Sequence, residues 1–274
     1  MDEIEVGNYW NNNAPVWTNL VRAGYDVYRD YLNTPAFFEI LPDIKSMTGI
    51  DIGCGEGYNT RLLADSGAVL EAIDIAPVFI ESAKTMEKEF PLGITYSVAS
   101  ATQIPFQNES FHFATSFMCL MDLPAPEKAL QEAYRVLKPG GFFQFSIEHP
   151  CFKPPHLKKL RNAAGQTYAV EVGNYFSGND GEIEQWIFGN TPQELKQKAP
   201  QFQVPRFHRT LTFWINSIIK AGFSIEQVNE PCPSDEIIKE KPSLQSAGIV
   251  GYFLHIRCRK PQIRECGLKK YTYD

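Results

Sequence analysis

Asp51-Ile52-Gly53-Cys54-Gly55-Glu56-Gly57 packs three glycines and two acids into one short stretch of the chain. Alternating glycines let a backbone turn tightly and come close to a ligand. A helix opening just after them would add free N–H groups and the positive end of its dipole. A further acid, Asp74, follows Gly55 by 19 residues. At the end of a second strand, such a carboxylate can accept hydrogen bonds from both hydroxyls of a ribose. Loop, helix start and spaced acid together point to a nucleoside-containing cofactor.

The glycine spacing and the first acid narrow that class. A dinucleotide loop reads G-x-G-x-x-G. Here the third glycine, Gly57, comes one place early, and Tyr58 takes its expected site. Asp51 would repel a pyrophosphate but suits a cofactor carrying an ammonium and a sulfonium. Charge complementarity favours S-adenosylmethionine over NAD, so an NAD-dependent oxidoreductase is the disfavoured alternative.

These residues need strands and helices to hold them. TGIDIG (48–53), VLEAIDI (69–75), ITYSVA (94–99), FHFATSF (111–117) and FFQFSIE (142–148) read as strands. Helices are expected over 57–66, 77–89 and 124–137, with Lys138-Pro139-Gly140-Gly141 as a stop and turn. The alternation implies an α/β fold with a mostly parallel sheet covered on both faces. Residues 1–45 form an N-terminal helical cap, and 46–150 the cofactor-binding core. Residues 151–210 break the rhythm with Pro, Gly, Asn and aromatics. So long a stretch is not featureless: it is either a lid or a peripheral subdomain with its own small core. A helix over 211–222 and strands over 223–230 and 249–260 close the core. No helix fits the pattern between those last two strands, although the loop is long enough to hide a short one; the simplest link is an antiparallel pair, and 263–274 is a tail.

Composition bounds the rest. Hydrophobic residues make up 43% of 274, enough for a full core. The net charge of -6 argues against a broad nucleic-acid face. No apolar run reaches the ~18 residues of a membrane span, and MDEIEVGNYW lacks the basic start of a signal peptide. The six cysteines make no CxxC pair, and no Cys/His cluster has zinc spacing, so no metal is expected. A reducing, cytoplasmic compartment fits.

DIGCGEG (51–57), AIDIAP (72–77), ASATQIPF (99–106), FHFATSFMCLMDL (111–123) and AYRVLKPGGFFQFS (133–146) resemble the ordered motifs of class I S-adenosylmethionine-dependent methyltransferases. The nearest subgroup is the small-molecule family that includes the ubiquinone and menaquinone methyltransferases. The resemblance implies a doubly wound, Rossmann-like seven-stranded sheet whose last strand is antiparallel. It implies that Gly53, Cys54 and Gly55 contact the methionine part of the cofactor through their backbone, and that Asp51 orients its amine. Asp74 would hold the ribose, Ile75 would pack on the adenine, and the Phe117 carbonyl would receive the amine. Where the family often has an acid facing the adenine amine, this chain has Ser100 before Ala101; a backbone N–H or the serine hydroxyl would replace it. His112 stands at the family's usual aspartate and reads as a strand-end residue. The product would be S-adenosylhomocysteine and the acceptor a small molecule. The base-methylating D/N-P-P-Y/F motif is replaced by Cys119-Leu120-Met121-Asp122, and Cys151 reads as structural.

Methyl transfer needs a base only when the acceptor is a hydroxyl or a protonated amine. His149, at the end of the fifth strand, and His208, at the end of the insertion, are the candidate catalytic residues; each could instead cap or tie a loop. Glu148 could orient His149. Arg206 and Arg209 could bind an acidic substrate or be surface charge. Tyr9, Trp10, Tyr28, Trp186 and Trp214 are candidate covers of the cleft or core residues. Because this chemistry has no diagnostic catalytic residue, a non-catalytic cofactor-binding protein is a further alternative.

Overall fold

The computed structural model describes residues 1–262; the tail at 263–274, with Cys266, lies outside the described residues. Helix α1 (Glu3–Arg22) starts on a capping box in which Asp2 and Glu5 exchange side-chain and backbone hydrogen bonds. A single π-helical turn (Arg29–Asn33) then runs into α2 (Thr34–Glu39). The expected alternation follows as β1 (Thr48–Ile52), α3 (Tyr58–Asp65), β2 (Val69–Asp74), α4 (Pro77–Glu89), β3 (Thr95–Val98), β4 (Phe111–Phe117), α5 (Pro126–Val136) and β5 (Leu137–Glu148). The central strands β1 and β4 are buried along most of their length, and their polar residues Asp51, Thr115 and Ser116 are hydrogen-bonded there. Helix α5 keeps Ala129, Leu130, Ala133 and Val136 on its buried stripe.

After β5 the chain forms two hairpins. The first pairs β6 (His156–Arg161) with β7 (Thr167–Gly173). The second pairs β8 (Glu182–Trp186) with β9 (Phe202–Arg206), with α6 (Gln193–Lys198) in its connection. Then come α7 (Leu211–Lys220), β10 (Ser224–Asn229), α8 (Asp235–Glu240) and β11 (Phe253–Arg259). The seven-stranded sheet has the order β10-β11-β5-β4-β1-β2-β3. Only β11 runs against the others, slotted between β5 and β10. This is the doubly wound arrangement with its antiparallel last strand. The strand order reverses between β1 and β4, so their C-terminal ends open the crevice where such sheets bind ligands.

Two local expectations are corrected. Lys138-Pro139-Gly140-Gly141 is not a stop: it lies inside β5. Phe111 pairs with Leu137 and Phe113 with Phe142, so the extra residues form a bulge, with Gly140 at φ +81°. A helix does stand between β10 and β11. Ser234 caps α8 through its hydroxyl, and a 3₁₀ segment, Pro242–Gly248, follows. Six residues are too few to leave a readable periodicity.

Helix α1 joins distant parts of the chain. The Asn13 side chain donates to the Gln203 carbonyl (2.9 Å) and accepts from the Gln203 N–H (3.0 Å), pairing with the open edge of β9 as a strand residue would. Asn11 accepts from the Val78 N–H in the first turn of α4 (3.0 Å). Between α1 and the second hairpin lies an apolar cluster of Leu20, Val21, Phe188, Phe202 and Val204, with Trp10, Trp17 and Trp186 against it. Asn13→Ala should strand both Gln203 backbone groups and cost about 1–3 kcal/mol, a melting-point drop of several degrees in a chain of this size. Thermal unfolding would measure the loss, and amide exchange at Gln203 would locate it. Unchanged melting and unchanged protection would show that the Asn13–Gln203 pair contributes nothing to holding α1.

Candidate functional site

The glycine loop connects β1 to α3 and is shaped by its neighbours. Gly53, Gly55 and Gly57 all have positive φ (+74°, +55° and +83°). A side chain at Gly53 would strike the Cys119 sulfur at 2.3 Å, and one at Gly57 the Tyr96 hydroxyl at 2.6 Å. Gly55 differs: a Cβ there meets nothing within 4 Å, and the residue faces an open cavity. Those two glycines are needed for packing and conformation, and Gly55 leaves room for a ligand.

Two buried carboxylates flank the loop. Asp74, at the end of β2, accepts from the Gly55 N–H and the Ala76 N–H, each at 2.8 Å. Asp51, 1% exposed, accepts from the hydroxyls of Thr60 (2.6 Å) and Thr115 (2.9 Å). Neither has a cation partner among the described residues. Burial pushes both carboxyls up to about 6, against the lowering effect of those hydrogen bonds. The third acid, Glu56, is buried too but neutralised by Arg22 (2.9 Å) and Arg61 (3.3 Å), which fastens α1 to the loop.

The cavity at the crevice measures about 520 Å³, within the usual range for small-molecule sites. Of the nine residues singled out for cofactor binding, eight line it: Asp51, Gly53, Cys54, Gly55, Asp74, Ile75, Ala101 and Phe117. Ser100 does not. Its hydroxyl bonds instead to the carboxylate of Glu3, which does line the cavity and also accepts from the Thr102 hydroxyl at 2.7 Å. An acid thus reaches this end of the site from α1, 97 residues away in sequence. No local pattern could have signalled it. The π-helical turn supplies Arg29 and Asn33 to the wall. Asn33 is fixed there, donating to the Ser146 hydroxyl at 3.3 Å and accepting from His255 at 2.7 Å.

The insertion forms the far wall through Trp186, Phe188, Val204 and Arg206, with Trp17 of α1 packed edge-on against Trp186 at 5.6 Å. Trp10 and Tyr28 also line the cavity, whereas Tyr9 does not. Trp214 is 2% exposed and belongs to the core under the sheet.

Neither candidate histidine reaches this cavity. The His149 imidazole is buried: Nδ1 accepts from the Cys151 N–H at 3.1 Å, which leaves Nε2–H to donate to Glu230 at 2.6 Å. His208 Nε2 donates to the Tyr175 carbonyl at 2.7 Å and faces a neighbouring cavity of about 390 Å³. Both rings tie loops together. Glu148 does not orient His149; it pairs with Arg206 (3.1 Å) and Lys153 (3.5 Å). Arg209 donates to the carbonyls of Pro124 and His208. Asp122, one of the last residues before α5, was passed over as a candidate. It is 5% exposed and lines both cavities.

Comparison with known proteins bears on this site. Residues 50–145 match the family model described as a methyltransferase domain. The demethylmenaquinone methyltransferase of Tropheryma whipplei is 36% identical over 34% of this chain and 38% of its own length. A ubiquinone biosynthesis O-methyltransferase of Coxiella burnetii is 27% identical over 40% and 47%, respectively. The chain therefore spans less than half the length of these curated relatives. A solved S-adenosylmethionine dependent methyltransferase from Mesorhizobium loti superposes with a TM-score of 0.66 at 26% identity, covering 82% of this chain and 96% of that one. Motifs, sheet order and site agree: residues 50–145 match a methyltransferase domain, and the fold around them is similar to that of a solved S-adenosylmethionine dependent methyltransferase.

Proposed function

We propose that the chain transfers the methyl group of S-adenosylmethionine to oxygen or nitrogen of a small-molecule acceptor. The carrying observation is the pair of buried carboxylates, Asp51 and Asp74, with no cation partner among the described residues, on either side of the open face at Gly55. A cationic cofactor is attracted by both, and a pyrophosphate is repelled. The residues fit the group in other respects. Asp74 uses one lone pair on each oxygen for the loop and keeps the others for ribose hydroxyls. Ile75, Ala101 and Phe79 offer an apolar slot for the adenine, with Glu3 at its edge. Gly53, Cys54 and Phe117, which line the same cavity, would then meet the methionine end.

When bound, the cofactor supplies an electrophilic methyl on a good leaving group. The protein's part is to align the acceptor and keep water out. The aromatic wall from α1 and the insertion does the latter, which supports reading residues 151–210 as a lid. The printed names of the relatives include both O- and C-methyltransferases, so the methylated atom rests on the site's own chemistry. No described helix is long and apolar enough to cross a membrane. The five described cysteines are free thiols, which supports a reducing, cytoplasmic compartment.

Calorimetry should detect S-adenosylhomocysteine and no NAD. Asp74→Ala should weaken that binding at least tenfold, about 1.4 kcal/mol, in a variant that keeps its circular dichroism. Tight NAD binding without a response to S-adenosylhomocysteine would overturn the reading.

The two carboxylates also set a pH signature. Their folded values of about 6 lie above the 3.8 of the free group. Well below 3.8 both states are protonated and nothing is lost. As pH rises to about 6 the unfolded chain ionises first, so each carboxylate subtracts from stability, by up to about 3 kcal/mol. Asp51→Asn should therefore gain stability relative to wild type between pH 4.5 and 7, read by denaturant unfolding at each pH. S-adenosylmethionine affinity should move the opposite way in wild type, falling as pH drops through about 6.

A further inference from the structure

Asp122 ends the 3₁₀ turn Leu120–Asp122 that follows β4, on the cavity wall beside Met118 and Cys119. Its carboxyl is buried, and Oδ1 has no hydrogen-bond partner among the described residues. The other acids on this wall are each held. Asp51 and Asp74 are bonded as described, Asp26 accepts from the Arg29 N–H, Glu3 is bonded by two hydroxyls, and Glu56, Glu148 and Glu184 are paired with arginines. An unpaired buried carboxyl is costly, and native chains satisfy nearly all such groups. Trp186, facing the same cavity from β8, also has an indole N–H that is buried without a partner. One bare acceptor and one bare donor thus border the same chamber.

We propose that Asp122 is the catalytic base of the methyl transfer and that the acceptor is a compact apolar molecule presenting an O–H or N–H to it. This rests on the methyltransferase reading above. Asp122 takes the proton from the acceptor hydroxyl while the oxygen's lone pair forms the bond to the methyl carbon. The carbon–sulfur bond breaks with its electron pair remaining on sulfur. A sulfonium and a carboxylate become a thioether and a carboxylic acid, so both charges vanish together in a dry site. The Trp186 N–H donates to the acceptor's remaining lone pair, and the aromatic cluster of Trp17, Trp186 and Phe188 packs on its body.

The surroundings tune the group for this task. Burial raises the Asp122 carboxyl to about 8; Arg206 on β9 opposes the rise, and Glu148 on β5 and Glu184 on β8 add to it. A base works best when it titrates near the operating pH, and a bound sulfonium would draw this one down further.

The test uses the full chain loaded with S-adenosylhomocysteine, with phenol and anisole as probes. They share a ring and an oxygen, and only phenol has the proton. By calorimetry, wild type should bind phenol at least tenfold more tightly than anisole, and that preference should grow from pH 7 to pH 9 as Asp122 ionises. Asp122→Asn and Asp122→Leu should lose the preference and its pH dependence, keep S-adenosylhomocysteine affinity within about twofold, and melt no lower than wild type. Equal affinities for the two probes in wild type, a preference that survives in either variant, or lowered melting in both would overturn the proposal. Failure of wild type to bind S-adenosylhomocysteine would instead overturn the methyltransferase reading, and this proposal with it.

Discussion

Asp74 accepts hydrogen bonds from two backbone N–H groups, at Gly55 and Ala76, and the site depends on that clamp. It binds the end of β2 to the glycine loop after β1, so the two strands present one continuous rim. It also holds Gly55 at its positive φ with its open face toward the cavity. The clamp works through donors without positive charge. Asp51 is held the same way by two threonine hydroxyls. Each carboxylate is satisfied as a hydrogen-bond acceptor and left unneutralised as an ion. That combination keeps the empty site ordered and still attractive to a cation.

The contrast with Glu56 makes the point sharper. It is as buried as its neighbours, yet Arg22 and Arg61 neutralise it. One loop therefore holds acids with two different assignments. Glu56 serves architecture, drawing α1 onto the core. Asp51 and Asp74 stay without a cation among the described residues, at a standing cost in stability of the kind that functional sites carry.

Much of this was legible in the chain itself. Strand hydrophobicity, turn glycines and the interval from Gly55 to Asp74 are local signals for the sheet, the loop and the two carboxylates, while the family resemblance supplied Cys54, Ile75, Ala101 and Phe117; all of these residues line the same cavity. The misses have physical causes. Gly140 was read as a stop, but a neighbouring strand was there to receive a bulge. His149 and His208 drew attention as titratable groups near a rim, while their partners, Glu230 and Tyr175, lie 81 and 33 residues away. Glu3 and Asn13 act across longer intervals still, 97 and 190 residues. Asp122 had no motif around it. Its interest comes from missing partners, a property that exists only once the chain is folded.

The pairing of Asn13 with Gln203 joins positions 190 residues apart. A chain made from its N-terminus reaches residue 145 with the β1–β4 crevice complete in sequence but lacking its far wall. Until β9 emerges, α1 must keep Trp10, Trp17 and Leu20 without their eventual cover of Phe188, Phe202 and Val204. Contacts of such long range form late, after the loop-closure entropy of the intervening chain has been met. The nascent protein thus passes through a stage with an exposed aromatic helix, when it is open to aggregation or to chaperone capture. Closure of the cavity and burial of that helix are a single event, so a chain whose cavity is walled in has also passed its most vulnerable stage of folding.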